Sequence, residues 1–145
     1  MKKREPDFDI FKQVLERKVP ERPVLYNLFF GEKYYSRFSG TVLDGDIFSA
    51  NLRAVELFSE LGYDYANVAS TAFRFPREAP KGKQTYSLNA GSAITDWESF
   101  EKYTWLNPDD FSSDGLDKIK PYLPGNMKLM VVGPMGVLEN LIALM

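Results

Sequence analysis

One junction constrains this chain more than any other: a helical pattern that runs directly into a strand pattern. Ile47, Leu52, Val55, Leu57, Phe58 and Leu61 give the segment 47–61 a broad apolar stripe, with Asp46 placed to cap it and Gly62 to stop it. YDYANVAS follows at once and reads as a strand. A helix handed to a strand through one or two residues is the rhythm of an α/β chain.

The rest of the sequence extends that rhythm. Phe8, Phe11, Val14 and Leu15 predict a helix over 8–18, ended by Pro20 and Pro23. PVLYNLFF, residues 23–30, is a nearly continuous apolar run and predicts a strand covered on both faces. The stretch 31–46 is rich in Gly, Ser and Asp and reads as a loop. Residues 71–93 hold Pro76, Pro80, Gly82 and Gly91 and read as a long excursion with a small hairpin, the kind of segment that carries function. TDWE predicts a helix over 95–103 that opens on a Thr95–Glu98 capping box. Residues 107–111 read as a turn, and 114–123 as a helix capped by Ser113 and ended by Pro124 and Gly125. A third strand over 127–132 and a helix over 135–145 complete the series. Three strands separated by helices imply a parallel sheet with right-handed crossovers. No repeat or linker divides the sequence.

Composition narrows the function classes. The chain has 145 residues, 44% of them hydrophobic, and a formal net charge of −2. That apolar share is too high for a disordered chain, and the charge lacks the basic excess of a nucleic-acid binder. With no Cys, the chain holds no disulfide, thiolate nucleophile or Cys-bearing zinc site. With no His, it lacks the commonest general base. The basic start, MKKREPDFDI, lacks the apolar core of a signal peptide. The apolar stretch 128–145 is interrupted by Pro134 and Glu139 and falls short of a membrane span. The expectation is a soluble, cytoplasmic protein with no nucleic-acid or membrane partner.

In parallel α/β folds the working groups lie at the carboxyl ends of the strands. That selects Asn27, Asn67, Ser70, Thr71 and Arg74, with Phe29, Tyr34, Tyr35 and Arg37 on the first loop. Asn27 and Asn67 serve equally well as backbone partners or ligand contacts. Ser70 and Thr71, with no His to activate them, read as turn formers rather than nucleophiles. The tyrosines suit stacking on a flat ligand, and the arginines suit carboxylates, yet both types are ordinary on surfaces. GPMG at 133–136 opens a helix whose N-terminus would attract an anion, but it matches no nucleotide-binding loop. Glu98 is explained by capping, and Asp109 and Asp110 by a solvated turn. No catalytic residue and no metal ligand are assigned.

Four segments together resemble the uroporphyrinogen decarboxylase family, which also contains methylcobamide methyltransferases. They are FKQVLERKVPERPV (11–24), GYDYANVAS (62–70), ITDWESFEKYTWLNPDDF (94–111) and LPGNMKLMVVGPMGVLENLIALM (123–145). The FEKY-W-PDDF part resembles the methyltransferase-related branches most. The resemblance implies the N-terminal portion of a (β/α)8 TIM barrel, with residues 1–145 as a single partial domain cut off at its carboxyl end. It implies a lyase of porphyrin biosynthesis acting on a tetrapyrrole, or a relative acting on a methylated, corrinoid-linked substrate; of the strand-end and loop residues, Asn27, Phe29, Tyr34, Asn67, Ser70, Thr71 and Arg74 are then expected as substrate contacts rather than catalysts. It also shows where the chain departs from the decarboxylases. Their Arg-Gln-Ala-Gly-Arg motif falls on Leu28, Phe29, Phe30, Gly31 and Glu32, so only the glycine survives. Their key Asp, which follows a Ser, falls on Thr71 after Ser70. Loss of both arginines and gain of Glu32 remove carboxylate partners and add repulsion, so strict uroporphyrinogen decarboxylation is not expected.

Two alternatives stand beside this. One is a cobamide-dependent methyltransferase whose zinc site lies beyond Met145, so that zinc and corrinoid belong to a full-length relative and no cofactor to this chain. The other is a fragment or binding module with no turnover. The piece alone is expected to be inactive, and its open sheet edges favour self-association.

Overall fold

The computed structural model describes residues 4–76, 92–134 and 136–145. Its elements in chain order are α1 (Phe8–Leu15), α2 (Glu32–Phe38), α3 (Ile47–Glu60), β1 (Tyr65–Ala69), α4 (Trp97–Lys102), α5 (Gly115–Ile119), β2 (Lys128–Val132) and α6 (Val137–Leu144). They form two compact units, residues 1–72 with 113–132, and residues 73–112 with 133–145. The protein is thus a mixed α/β chain, and among the described residues its sheet is two parallel strands, β1 and β2, in the register Tyr65–Lys128 to Ala69–Val132.

The helix-to-strand junction is built as the sequence predicts. Asp46 accepts a hydrogen bond from Ser49 N–H at 2.8 Å and caps α3. At the other end Gly62 takes φ +81°, its N–H donates to Ser59 O at 3.0 Å, and Tyr63 N–H donates to Phe58 O at 2.9 Å. This is the Schellman arrangement, sealed by the Phe58 and Tyr63 rings at 5.0 Å. A side chain at Gly62 would be strained by that positive φ. The reversal lays α3 on β1, with α2 and α5 against α3. Between them Phe11, Val55, Phe58, Tyr65, Ile119 and Met127 form the core.

The amino end of β1 is tied down by charge. Asp64 is fully buried, and Arg22 grips it with two nitrogens at 2.6 and 3.0 Å. Arg4 adds a third bond at 3.2 Å, and Asp7 N–H a fourth at 2.9 Å. Beside it Asp7 and Asn126 form a parallel bridge, and the Asn126 amide donates to the carboxylates of Asp7 and Asp9, each at 2.9 Å.

In the second unit Ile94 N–H donates to Leu144 O at 2.8 Å. Trp105 stacks edge-on with Phe100 and Tyr103 at 5.2 and 4.9 Å.

Several expectations are corrected. The run 23–30 is not a strand: the backbone of Asn27 and Leu28 is held by side chains of β1, and Leu25, Tyr26, Leu28 and Phe29 are exposed. An apolar run states what is to be covered but not which groups bond the backbone. The sheet therefore has two strands among the described residues, not three. The predicted loop 31–46 contains α2, whose EKYYSRF has neither Gly nor Pro and places Glu32 in the first turn and Arg37 in the last. The helix expected over 95–103 spans Trp97–Lys102, and its cap lies one residue later than Thr95, at Asp96, with Ser99 completing the box, because Asp96 accepts from Ser99 N–H at 2.8 Å; Glu98 pairs with Lys102 instead. Asp114, not Ser113, precedes α5, which tightens into a 3-10 turn at Lys120–Tyr122. The hairpin expected within 71–93 falls largely at 77–91, outside the described residues.

Candidate functional site

Polar residues that the sequence singles out lie along β1, at Asn67, and just beyond its carboxyl end, at Ser70 and Thr71. Tyr65 and Asn67 are two apart on the strand and so project to the same side. Both reach the backbone of the 23–30 segment. The Tyr65 hydroxyl accepts from Asn27 N–H at 2.8 Å and donates to Asn27 O at 2.7 Å. Burial pushes the Tyr65 phenol above its usual range, against the opposing effect of the Asn27 backbone, so the hydroxyl keeps its proton and remains a donor. The Asn67 amide nitrogen donates to Asn27 O at 3.2 Å and to Leu28 O at 2.6 Å. Two carbonyl acceptors fix which end of that amide is nitrogen. Among the described residues Asn67 Oδ1 is then left buried with no hydrogen-bond partner, on a residue only 7% exposed.

Tyr65→Phe tests the clamp. It removes one donor and one acceptor while preserving the ring, and should cost about 1–3 kcal/mol. Hydrogen exchange at the Asn27 amide should accelerate with it; unchanged exchange would show that the hydroxyl holds nothing.

Asn51 completes this end of the strand. Its amide donates to Ala69 O at 3.0 Å and accepts from Ala69 N–H at 2.9 Å, joining α3 to the last residue of β1. Ser70 N–H donates to Val132 O at 2.9 Å, continuing the pairing with β2, and Thr71 follows, half-buried. The side chain of Asn27 is used locally, donating to Phe29 O at 2.9 Å. Phe29 is 68% exposed, and Tyr34, on α2, lies against Phe30 with ring centroids 5.8 Å apart. Arg74 is exposed and belongs to the second unit.

Two residues of α3 that matter here, Asn51 and Arg53, escape the sequence reading, in which Glu32 figures only as an acid in place of a motif arginine. Asn51 and Arg53 are polar positions inside an apolar helix, both buried, and Glu32 faces Arg53 at 2.6 Å. Their signal is faint: an Asn and an Arg amid a helical stripe look like ordinary boundary residues.

A separate cavity of about 260 Å³ opens between Phe38, Val55, Glu56, Ser59 and Tyr122, and none of the residues chosen from the sequence lines it. Burial raises the Glu56 carboxyl, but hydrogen bonds from Ser39, the Thr41 hydroxyl and the Thr41 N–H outweigh it and hold the group below the usual carboxylate range. The carboxylate thus serves as the anchor of residues 39–41. At the GPMG turn, Gly136 caps α6 without a side-chain bond, and the acid in the first turn, Glu139, reaches back to it. The helix start that would attract an anion already holds one of its own.

Among the described residues no group of three His, Cys, Asp or Glu is placed to hold a metal ion, and no helix is long and apolar enough to cross a membrane. Compared with known proteins, the chain matches no family model, no curated protein and no solved structure.

Proposed function

We propose that these residues carry the opening β/α units of a barrel related to uroporphyrinogen decarboxylase, and that the carboxyl end of β1 contacts a tetrapyrrole. Four ordered sequence segments support the kinship, and a parallel strand pair joined through helices is compatible with it. The single observation that carries the ligand assignment is Asn67: a buried amide oxygen without a partner among the described residues, in the middle of the strand whose carboxyl end, at Ser70 and Thr71, is where parallel folds place their chemistry. Such an oxygen suits the N–H of a pyrrole. Ser70 and Thr71, which follow β1, and Phe29 and Tyr34, which follow the Asn27 segment that Asn67 holds, are the further contacts of this unit. The replacement of both motif arginines argues for binding without uroporphyrinogen decarboxylation.

Titration with uroporphyrin I, followed by quenching of Trp97 and Trp105 fluorescence, should saturate, and Asn67→Ala should weaken binding about tenfold. Absence of a saturable change in the wild-type chain removes the tetrapyrrole reading. A second reading, cobamide-dependent methyl transfer with zinc, is favoured by the segment Phe100–Phe111, whose pattern is closer to that branch.

A further inference from the structure

Among its described residues the first unit contains two arginine–carboxylate constellations, and they are built in opposite ways. At the amino end of β1 the acid is buried and the bases are partly wet: the Asp64 side chain is 0% exposed, against 28% for Arg4 and 23% for Arg22. The second belongs to α3 and α2. There the Arg53 side chain is 9% exposed and its only carboxylate partner among the described residues, Glu32, is 68% exposed.

Arg53 sits on α3 two residues after Asn51, whose side chain pins that helix to Ala69 at the carboxyl end of β1. Its Nη2 donates to Glu32 Oε1 at 2.6 Å, and its guanidinium carbon lies 5.6 Å from the centre of the Tyr35 ring. Its Nε is buried and has no hydrogen-bond partner among the described residues. A guanidinium binds a carboxylate side-on through Nε–H and the neighbouring Nη–H, two parallel bonds in one plane. Glu32 uses one half of that fork, and the other half is left without a hydrogen bond among the described residues.

The asymmetry has a consequence for exchange. A buried guanidinium requires a counter-anion, because leaving it unpaired in the interior is costly. An exposed carboxylate loses little by swinging into water, since surface ion pairs contribute little. Glu32 is therefore the replaceable member of the pair. The Arg53 hydrogen bond, opposed by burial and aided by Ser36, holds the Glu32 carboxyl below its usual range, so it is ionised when it occupies the place.

We propose that Arg53 is a carboxylate-binding residue, and that Glu32 is an internal stand-in that the carboxylate of a ligand displaces. A ligand carboxylate that engages Nε as well as Nη2 makes two bonds where Glu32 makes one. Recognition of a tetrapyrrole carboxylate at Arg53 rests on the tetrapyrrole reading above; recognition of a carboxylate as such rests on the Glu32–Arg53 pair alone.

The test is a glutarate titration of the ¹⁵N-labelled full chain, following the Arg53 Nε–Hε resonance, assigned by its loss in R53Q and in R53K. The resonance should shift saturably. E32Q, which keeps a neutral acceptor and removes the competing charge, should bind glutarate about tenfold more tightly by this resonance, and R53K, followed at the backbone amides of positions 32 and 53, about tenfold more weakly than wild type. R53K retains the charge and serves where R53Q fails to fold. An Nε–Hε resonance that does not move, or an E32Q chain that binds glutarate no better than wild type, overturns the proposal. The uroporphyrin titration separates the two levels. A glutarate response without a uroporphyrin response removes the tetrapyrrole reading and leaves Arg53 in its role; a uroporphyrin response without a glutarate response removes the role of Arg53 alone.

Discussion

Asp64→Ala should lower the stability of the first unit by about 3 kcal/mol, the lower end of the range for breaking a buried ion pair. The carboxylate holds Arg22 by two bonds, Arg4 by one and the Asp7 N–H by one, so its removal strands three donors groups at once. The loss stays near the lower end because the arginines are 23% and 28% exposed and can regain water. The Arg4 guanidinium also keeps its bond to Pro23 O at 2.9 Å. Asp64→Asn preserves an acceptor for Asp7 and should lose less. Urea denaturation followed by far-ultraviolet circular dichroism measures both. A midpoint for Asp64→Ala that matches wild type would show that the constellation contributes nothing net, as happens when desolvation cancels attraction.

The second large effect belongs to Phe58. This ring is fully buried and touches Phe30 at 5.1 Å, Tyr63 at 5.0 Å and Tyr65 at 5.6 Å between centroids. It joins the Schellman turn to the core and to the segment that leads into α2. Phe58→Ala should cost about 3–5 kcal/mol through lost transfer energy and the cavity left behind. Phe58→Leu keeps much of the volume but none of the edge-on ring contacts, and should lose roughly half as much. Equal losses for the two variants would assign the whole effect to ring geometry. A loss under about 1 kcal/mol for Phe58→Ala would show that the site collapses to fill the gap.

The parts of this fold that were legible in the sequence are those held by local chemistry. Asp46, Gly62 and the stripe from Ile47 to Leu61 specify a helix with both ends, and β1 follows because the turn leaves it nowhere else to begin. Asn67 was legible as a polar residue in a strand, and the structure adds which of its atoms are used. The illegible parts depend on partners far along the chain. Residues 23–30 have the composition of a covered strand, yet Tyr65 and Asn67 satisfy the backbone at Asn27 and Leu28 from 38 to 40 residues away. Helix α2 was hidden by the Gly, Ser and Asp around it, not by anything in EKYYSRF itself. Arg53 and Glu32 are 21 residues apart, and no local pattern announces that one is buried and the other exposed.

The bridge between Asp7 and Asn126 also sets a timetable. The Asn126 amide bonds Asp7 across 119 residues and Asp9 across 117, so nearly the whole chain lies inside the loop that these contacts close. Contacts of such separation form against the entropy of loop closure and contribute only after the intervening chain has been ordered. Asn126 takes its position from the start of β2, and Asp7 is also held by Asp64 at the start of β1. The amino-terminal arm therefore has no complete berth until both strands are paired, and its docking is expected to follow that pairing; Asn126→Ala should then speed unfolding and leave the folding rate unchanged.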